Sequence, residues 1–311
     1  MKTFIDLHQD LFLHIHHPEL FPKKDQTSFE MIKEYNLKIV TVSAFPAPKD
    51  NDQFNASVPH MIESDLRAYV EYTNNHPEFV VIKTKDDVRK VLATEGLYGL
   101  LLHVEGLNVF DRNDGWDMLE RWYSIGLRSI GPVWNHDNDF GGGDAGSSEV
   151  GLSGLGASLV KWCEENGVLF DFAHMNEKTF WDASKIVTRP ILVSHGNARA
   201  LCDSPRNLND AQLKAVGASS GVVGVFFSKK FLSSEKMIDH AVVLEHMSHI
   251  SSAAGDAALA LGSDFGGIIS GFPEGVDSVA HLPSLLSKVP SDKQDLFSYK
   301  NALRVLEAHL L

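Results

Sequence analysis

Short apolar runs recur along this chain, and five of them close on histidine, aspartate or glutamate. They read TFIDLHQD, LYGLLLHVEG, GVLFDFAH, PILVSHG and LALGSDFGG. Eight strand candidates can be counted in all, at 3–8, 37–45, 96–104, 126–134, 168–174, 190–196, 221–227 and 259–265. Most are continuously apolar rather than alternating, the pattern of parallel strands covered on both faces. Helical patterns separate them. SVPHMIESDLRAYVEYTNNH places apolar residues near helical spacing, and SGLGASLVKWCEENG runs from a capping Ser153 to a terminating Gly167. DGWDMLERWYSIG ends on Gly126, the segment from Ser234 to Gly255 reads as one long helix, and the tail SDKQDLFSYKNALRVLEAHLL as another.

Strand–helix alternation over the whole length predicts an α/β fold with a parallel sheet, and eight repeats predict closure into a single (β/α)8 TIM barrel. A doubly wound sheet is the weaker reading, because no strand is followed by a GxGxxG that opens a helix. The 311 residues would suit two domains by length alone, but α/β barrels run to this size as one. No linker divides the chain, so residues 1–311 are expected to form one domain. The richest glycine stretch, 139–151, follows the fourth strand candidate. It is either a flexible surface loop or an active-site loop, and the position favours the second.

Bulk properties narrow the partners. A net charge of -13 disfavours nucleic acid and anionic membranes, which attract clustered Lys and Arg. Two cysteines, Cys163 and Cys202, form no framework of bridges. No secretory signal opens the chain and no apolar run reaches the roughly 18 residues of a membrane span. The sequence therefore reads as a soluble, cytoplasmic protein with no membrane partner.

In a barrel the C-terminal strand ends meet on one rim, where active sites are built. The residues that close the runs would then share a pocket. His8 and Asp10 stand two apart on a strand, on one face, and can reach one ion. Glu105 follows five apolar positions, costly to bury unless paired or metal-bound, and could bridge two ions. His174 and His195 end neighbouring strands and are the type of nitrogen donor zinc takes. Asp264 is a ligand, a base or a turn residue. Arg206 could grip a carboxylate through two parallel bonds. Three imidazoles and two carboxylates suit a two-metal hydrolase. Other histidines carry less. HIHH at 14–17 reads as a solvated loop, His246 and His249 as partly exposed on the long helix, and His103 as packed in the barrel or behind the site.

These stretches resemble a known family, the membrane (renal) dipeptidases of peptidase family M19. ILVSHGNARALCDSPRNLND (191–210) looks like the family's SHSNARALCDHPRNL-type signature almost residue for residue. DFAHMNEKTFWD, DLHQD and GSDFGG resemble three further blocks, and the likeness runs from the first strand to NALRVLEA near the end. The resemblance implies two Zn2+ ions, His8 and Asp10 holding one, His174 and His195 the other, and Glu105 bridging. It makes Asp264 the general acid/base and Arg206 the clamp on the substrate's terminal carboxylate. It also suggests a homodimer.

Two departures stand out. Renal-type members carry a histidine after the fourth strand in an LTH-N block; here the stretch is GPVWNHDND. Aligned on Asn135, that position is Trp134, with His136 two residues later. Either His136 replaces the imidazole or Trp134 reshapes the pocket, so Trp134, Asn135 and His136 are expected at the substrate. Gly266 stands where the family's GSDFDG has its second aspartate. The expected reaction is hydrolysis of a dipeptide's amide bond through a hydroxide bridging two zinc ions, C-terminal D-residues included. An N-acyl amino acid deacylase or lactonase on the same barrel is the alternative, and a non-catalytic barrel the third reading.

Overall fold

Residues that read as continuous apolar runs form strands buried along their whole length. Leu37–Ala44 and Tyr98–Glu105 are covered at all eight positions, so each packs on both faces. The computed structural model describes residues 2–12, 26–44, 58–235 and 237–311, and the HIHH stretch at 14–17 lies outside them. The described strands are β1 (Phe4–Gln9), β2 (Leu37–Ala44), β3 (Phe79–Val81), β4 (Tyr98–Glu105), β5 (Leu127–Gly131), β6 (Leu169–Phe170), β7 (Leu192–Val193), β8 (Val222–Val225) and β9 (Leu259–Leu261). The described helices are α1 (Phe29–Glu34), α2 (Val58–Asn75), α3 (Lys85–Ala93), α4 (Gly115–Ile125), α5 (Gly154–Asn166), α6 (Glu177–Ser184), α7 (Asp210–Ala218), α8 (His240–Ala254), α9 (Leu282–Ser287) and α10 (Asn301–His309). Parallel pairing with helical connections is the (β/α)8 barrel class, as the sequence predicts.

The chain divides into two units, Met1–Val40 with Arg189–Ala308, and Thr41–Thr188 with His309–Leu311, and the boundary falls inside β2. In the first unit β1 pairs β9, β9 pairs β8 and β8 pairs β7. Its core includes Phe4, Ile5, Leu7, Val223, Val225, Phe226 and Leu261. In the second, β4 pairs β5 and β5 pairs β6, with β3 on the other edge of β4. Its core includes Leu100, Leu102, Trp122, Ile130, Leu159 and Phe170.

Several predicted boundaries shift. β3 is an addition, a three-residue edge strand too short to carry a periodic signal. β6 and β7 keep two residues each of their seven-residue candidates, because the chain turns out of the sheet beyond Phe170 and Val193. α8 begins at His240 rather than Ser234, capped by the Asp239 side chain, which accepts from the Ala241 N–H. The predicted ends of α5 hold: Ser153 accepts from Gly156 N–H, and Gly167 closes the helix at φ 64°. Among the described residues no helix is long and apolar enough to cross a membrane.

The strand ends of the first unit are crowded. A Cβ at Gly262 would lie 1.9 Å from the Ser194 carbonyl oxygen, and one at Gly224 would lie 2.0 Å from the same atom. Neither backbone can retreat without breaking the ladder that seats His195. We expect Gly262→Ala to cost about 1–3 kcal/mol of stability by overpacking. Denaturant unfolding checks this, and an unchanged midpoint would show that the strand ends relax freely.

Candidate active site

The first unit gathers one donor cluster. β1 ends beside His8, and Asp10 follows two residues on. His8 is fully buried and Asp10 nearly so. Nε2 of His8 lies 3.8 Å from Asp10 Oδ2 and 3.9 Å from Asp264 Oδ1. Ligand atoms of His8, Asp10 and Asp264 all fall within 4.8 Å of one another. His195, just past β7, stacks at a tilt on His8 with ring centroids 4.0 Å apart, and its Nδ1 meets the Ser194 hydroxyl at 2.9 Å. Asp264 stands beyond β9 with φ 61°, a left-handed conformation uncommon for a residue with a side chain.

A buried network sets this geometry. Asp6, on the same strand alternation as His8 and Asp10, accepts from Ser263 Oγ (2.6 Å), Gln9 Nε2 (2.7 Å), Ser263 N (2.9 Å) and His8 N (3.3 Å). Burial pushes its carboxyl above the ordinary aspartate range while these donors pull it down. Thr27 donates to Gln9 at 2.7 Å and Phe265 N–H to Ser263 Oγ at 3.2 Å, so β1 and the turn carrying Asp264 are tied to one carboxylate.

Arg206 lies in the loop after β7 and is 5% exposed. Its guanidinium carbon sits 5.2 Å from the Phe226 ring centroid, and the same ring stands edge-on to His195 at 5.6 Å. Arg206 Nη2 is buried and donates to no group among the described residues. A buried donor left unmet costs about 1–3 kcal/mol, so the position is built for an acceptor. The loop is held firmly. Asn207 Nδ2 donates to Cys202 O and Phe231 O, both at 2.9 Å. His246 accepts from Ala198 N–H at 3.1 Å and donates from Nε2 to Leu232 O at 2.9 Å. This corrects the expectation of partial exposure: His246 is buried with Val243, Met247 and Ile250, an i, i+3, i+4, i+7 stripe visible in the sequence. Burial lowers its pKa, which suits the neutral ring these two bonds require. His249 stays part exposed and pairs with Asp210 at 2.7 Å.

The second unit gathers another cluster. Glu105 is the last residue of β4, and its Oε1 lies 2.9 Å from His174 Nε2. His174 also has a positive φ, 63°. Its Nδ1 faces Asn135 Oδ1 at 3.1 Å and Asp144 Oδ1 at 3.7 Å. Trp134 is half-buried with its ring 6.3 Å from that of His174, whereas His136 is exposed. Behind Glu105, His103 is fully buried, meets Ser129 Oγ at 2.8 Å and lies 3.8 Å from Asp171. Burial holds it below the ordinary histidine range. The glycine-rich stretch is a hydrogen-bonded loop packed beside His174: Asp144 N–H donates to His174 O at 2.8 Å and Ala145 N–H to Asn135 O at 2.7 Å.

Buried imidazoles and carboxylates clustered at the strand ends of a (β/α)8 chain are the kind of donors that metal-dependent hydrolases use. The model of the membrane dipeptidase family, peptidase family M19, matches residues 2–310, and the chain belongs to that family of metallo-dipeptidases. An uncharacterised protein in the pqqA 5′ region of Klebsiella pneumoniae is 38% identical over 223 residues, 67% of this chain and 81% of that one. A metallo peptidase of family M19, dipeptidase AC, shares the fold with a TM-score of 0.87 at 24% identity, over 99% of this chain and 98% of that one. A metallo peptidase from Rhodobacter sphaeroides, solved with a phosphinate mimic of the dipeptide L-Ala-D-Ala, gives a TM-score of 0.86 at 25% identity over 99% of both chains.

Sequence reasoning did not single out Asp6, Ser263, Phe226 or Asp144. Asp6 had a signal, since the alternation that pairs His8 with Asp10 extends back to it. Asp144 had none. The Gly266 departure has a backbone cause: φ is 97°, and a Cβ there would lie 2.3 Å from the Asp10 carbonyl oxygen. Restoring the family's aspartate by Gly266→Asp is therefore expected to destabilise the chain by about 1–3 kcal/mol and to weaken metal uptake by displacing Asp10. Unfolding and zinc titration check this; undiminished stability with tighter binding would contradict it.

Proposed function

We propose that residues 1–311 act as one domain, a zinc-dependent dipeptidase. In this reading His8 and Asp10 would hold one ion, His174 and His195 the other, and Glu105 would serve both. The observation that carries it is the His8–Asp10–Asp264 cluster, joined through His195 and Phe226 to a buried Arg206 with an unmet donor. Nitrogen and carboxylate oxygen donors fit zinc, and ions beside buried carboxylates would offset the cost of desolvating them. Zinc bound there supplies Lewis acidity toward the scissile carbonyl and lowers the pKa of the attacking water.

The chain's own groups do the rest. Asp264, part exposed and anchored by its N–H to His8 O at 3.0 Å, takes the proton of the attacking water and delivers it to the leaving amine. Arg206 binds the terminal carboxylate, its guanidinium fixed against Phe226. A clamp on the terminal carboxylate limits the leaving side of the scissile bond to one residue, and the limit to two residues overall is taken from the dipeptidase family. Acceptance of a C-terminal D-residue is proposed from the ligand of the Rhodobacter sphaeroides relative.

A hydrolysis panel of L-L, L-D and glycyl dipeptides, matching tripeptides and N-acetyl amino acids tests the reading. Zinc-loaded protein is expected to cleave dipeptides only, and a chelator to abolish cleavage. Asp264→Asn should keep its zinc and lose about a hundredfold or more in kcat. Turnover of N-acyl compounds alone, or near-normal kcat in Asp264→Asn, would overturn it.

A further inference from the structure

We infer that Asp144 is a positioning residue that fixes the tautomer of His174 and strengthens it as a metal ligand. The inference rests on the proposed role of His174. Two oxygens face Nδ1 of that ring, Asn135 Oδ1 at 3.1 Å and Asp144 Oδ1 at 3.7 Å. An amide can turn either its oxygen or its nitrogen to a ring nitrogen, so Asn135 alone does not dictate where the proton sits. An ionised carboxylate only accepts. With a metal on Nε2, the nitrogen turned to Glu105, the lone pair must lie on that atom, and Asp144 would then hold the proton on Nδ1.

The burial of Asp144 gives the second argument. Its side chain is 8% exposed, and Oδ1 is buried with no hydrogen bond among the described residues. A desolvated carboxylate oxygen is costly unless a donor or charge compensates it. The donor it faces is His174 Nδ1. At 3.7 Å the contact is longer than a hydrogen bond and acts through charge.

The backbone holds Asp144 there. Its own N–H donates to His174 O, and Gly143 bridges antiparallel to Met175. Asp137 accepts from Gly143 N–H at 3.2 Å and Ser147 N–H at 3.0 Å, and Asn176 Nδ2 donates to Ser147 O at 2.8 Å and Val150 O at 2.9 Å. The loop is strapped on both sides of Asp144, and its carboxylate is left to face the ring. A carboxylate behind a metal-bound imidazole raises its basicity, and removing such a partner costs about 10–100-fold in metal affinity.

The test is zinc titration of the metal-stripped full chain against a chromophoric chelator, with thermal unfolding of the metal-free protein alongside. Asp144→Asn keeps the shape and removes the charge. It should weaken one zinc-binding step about 10–100-fold and leave the metal-free midpoint unchanged. Exchanging the two groups, Asp144→Asn with Asn135→Asp, should restore affinity, because a carboxylate again faces Nδ1. Asp144→Ala should weaken binding at least as much as Asp144→Asn. Wild-type affinity in Asp144→Asn, or a fall that tracks a lowered metal-free midpoint, would overturn the assignment of Asp144 alone. A wild-type chain that takes up no zinc would overturn the metal reading and this inference together.

Discussion

Asp6, Asp10 and Glu105 are carboxylates shielded from water, and each needs compensation close by. Asp6 finds it in four donors from Ser263, Gln9 and His8. Asp10 and Glu105 lie instead against imidazoles, at 3.8 Å and 2.9 Å. Much of the local architecture follows from keeping these groups in place. Asp264 and His174 take left-handed backbone conformations, Gly266 is confined to a space that rejects a Cβ, and two hydrogen-bonded loops strap Arg206 and Asp144 to the strand ends. Such expense concentrates where function requires it.

Each unit holds its own cluster of buried polar residues. One brings His8, Asp10, His195, Asp264 and Arg206, the other Glu105, His174 and the loop from Trp134 to Asp144. Trp134, not His136, is the side chain beside His174. An indole offers a flat apolar face and one donor where a histidine would offer a titratable ring. The departure at this position therefore changes the side chain beside His174 and leaves the buried donors as they are.

The residues that close apolar runs were legible in the sequence, because a charged group after five buried positions demands a reason. The (β/α)8 class was legible for the same kind of cause: parallel strands covered on both faces cannot alternate. What escaped is local. β3 has three residues, and β6 and β7 end two residues in because the chain bends to aim His174 and His195, a turn that apolar content does not encode. His246 was read as part exposed although it sits on the apolar stripe of α8, where two backbone groups satisfy its ring. Asp144 lies among glycines with no periodicity, and only the fold brings it to His174.

Anomalous scattering at the zinc edge, from crystals of the zinc-loaded chain, tests the central claim most directly. The account predicts two ions, one at about 2.0–2.2 Å from His8 and Asp10 and one at that range from His174 and His195, with Glu105 reaching both. A single ion, or ions bound away from these side chains, would contradict it.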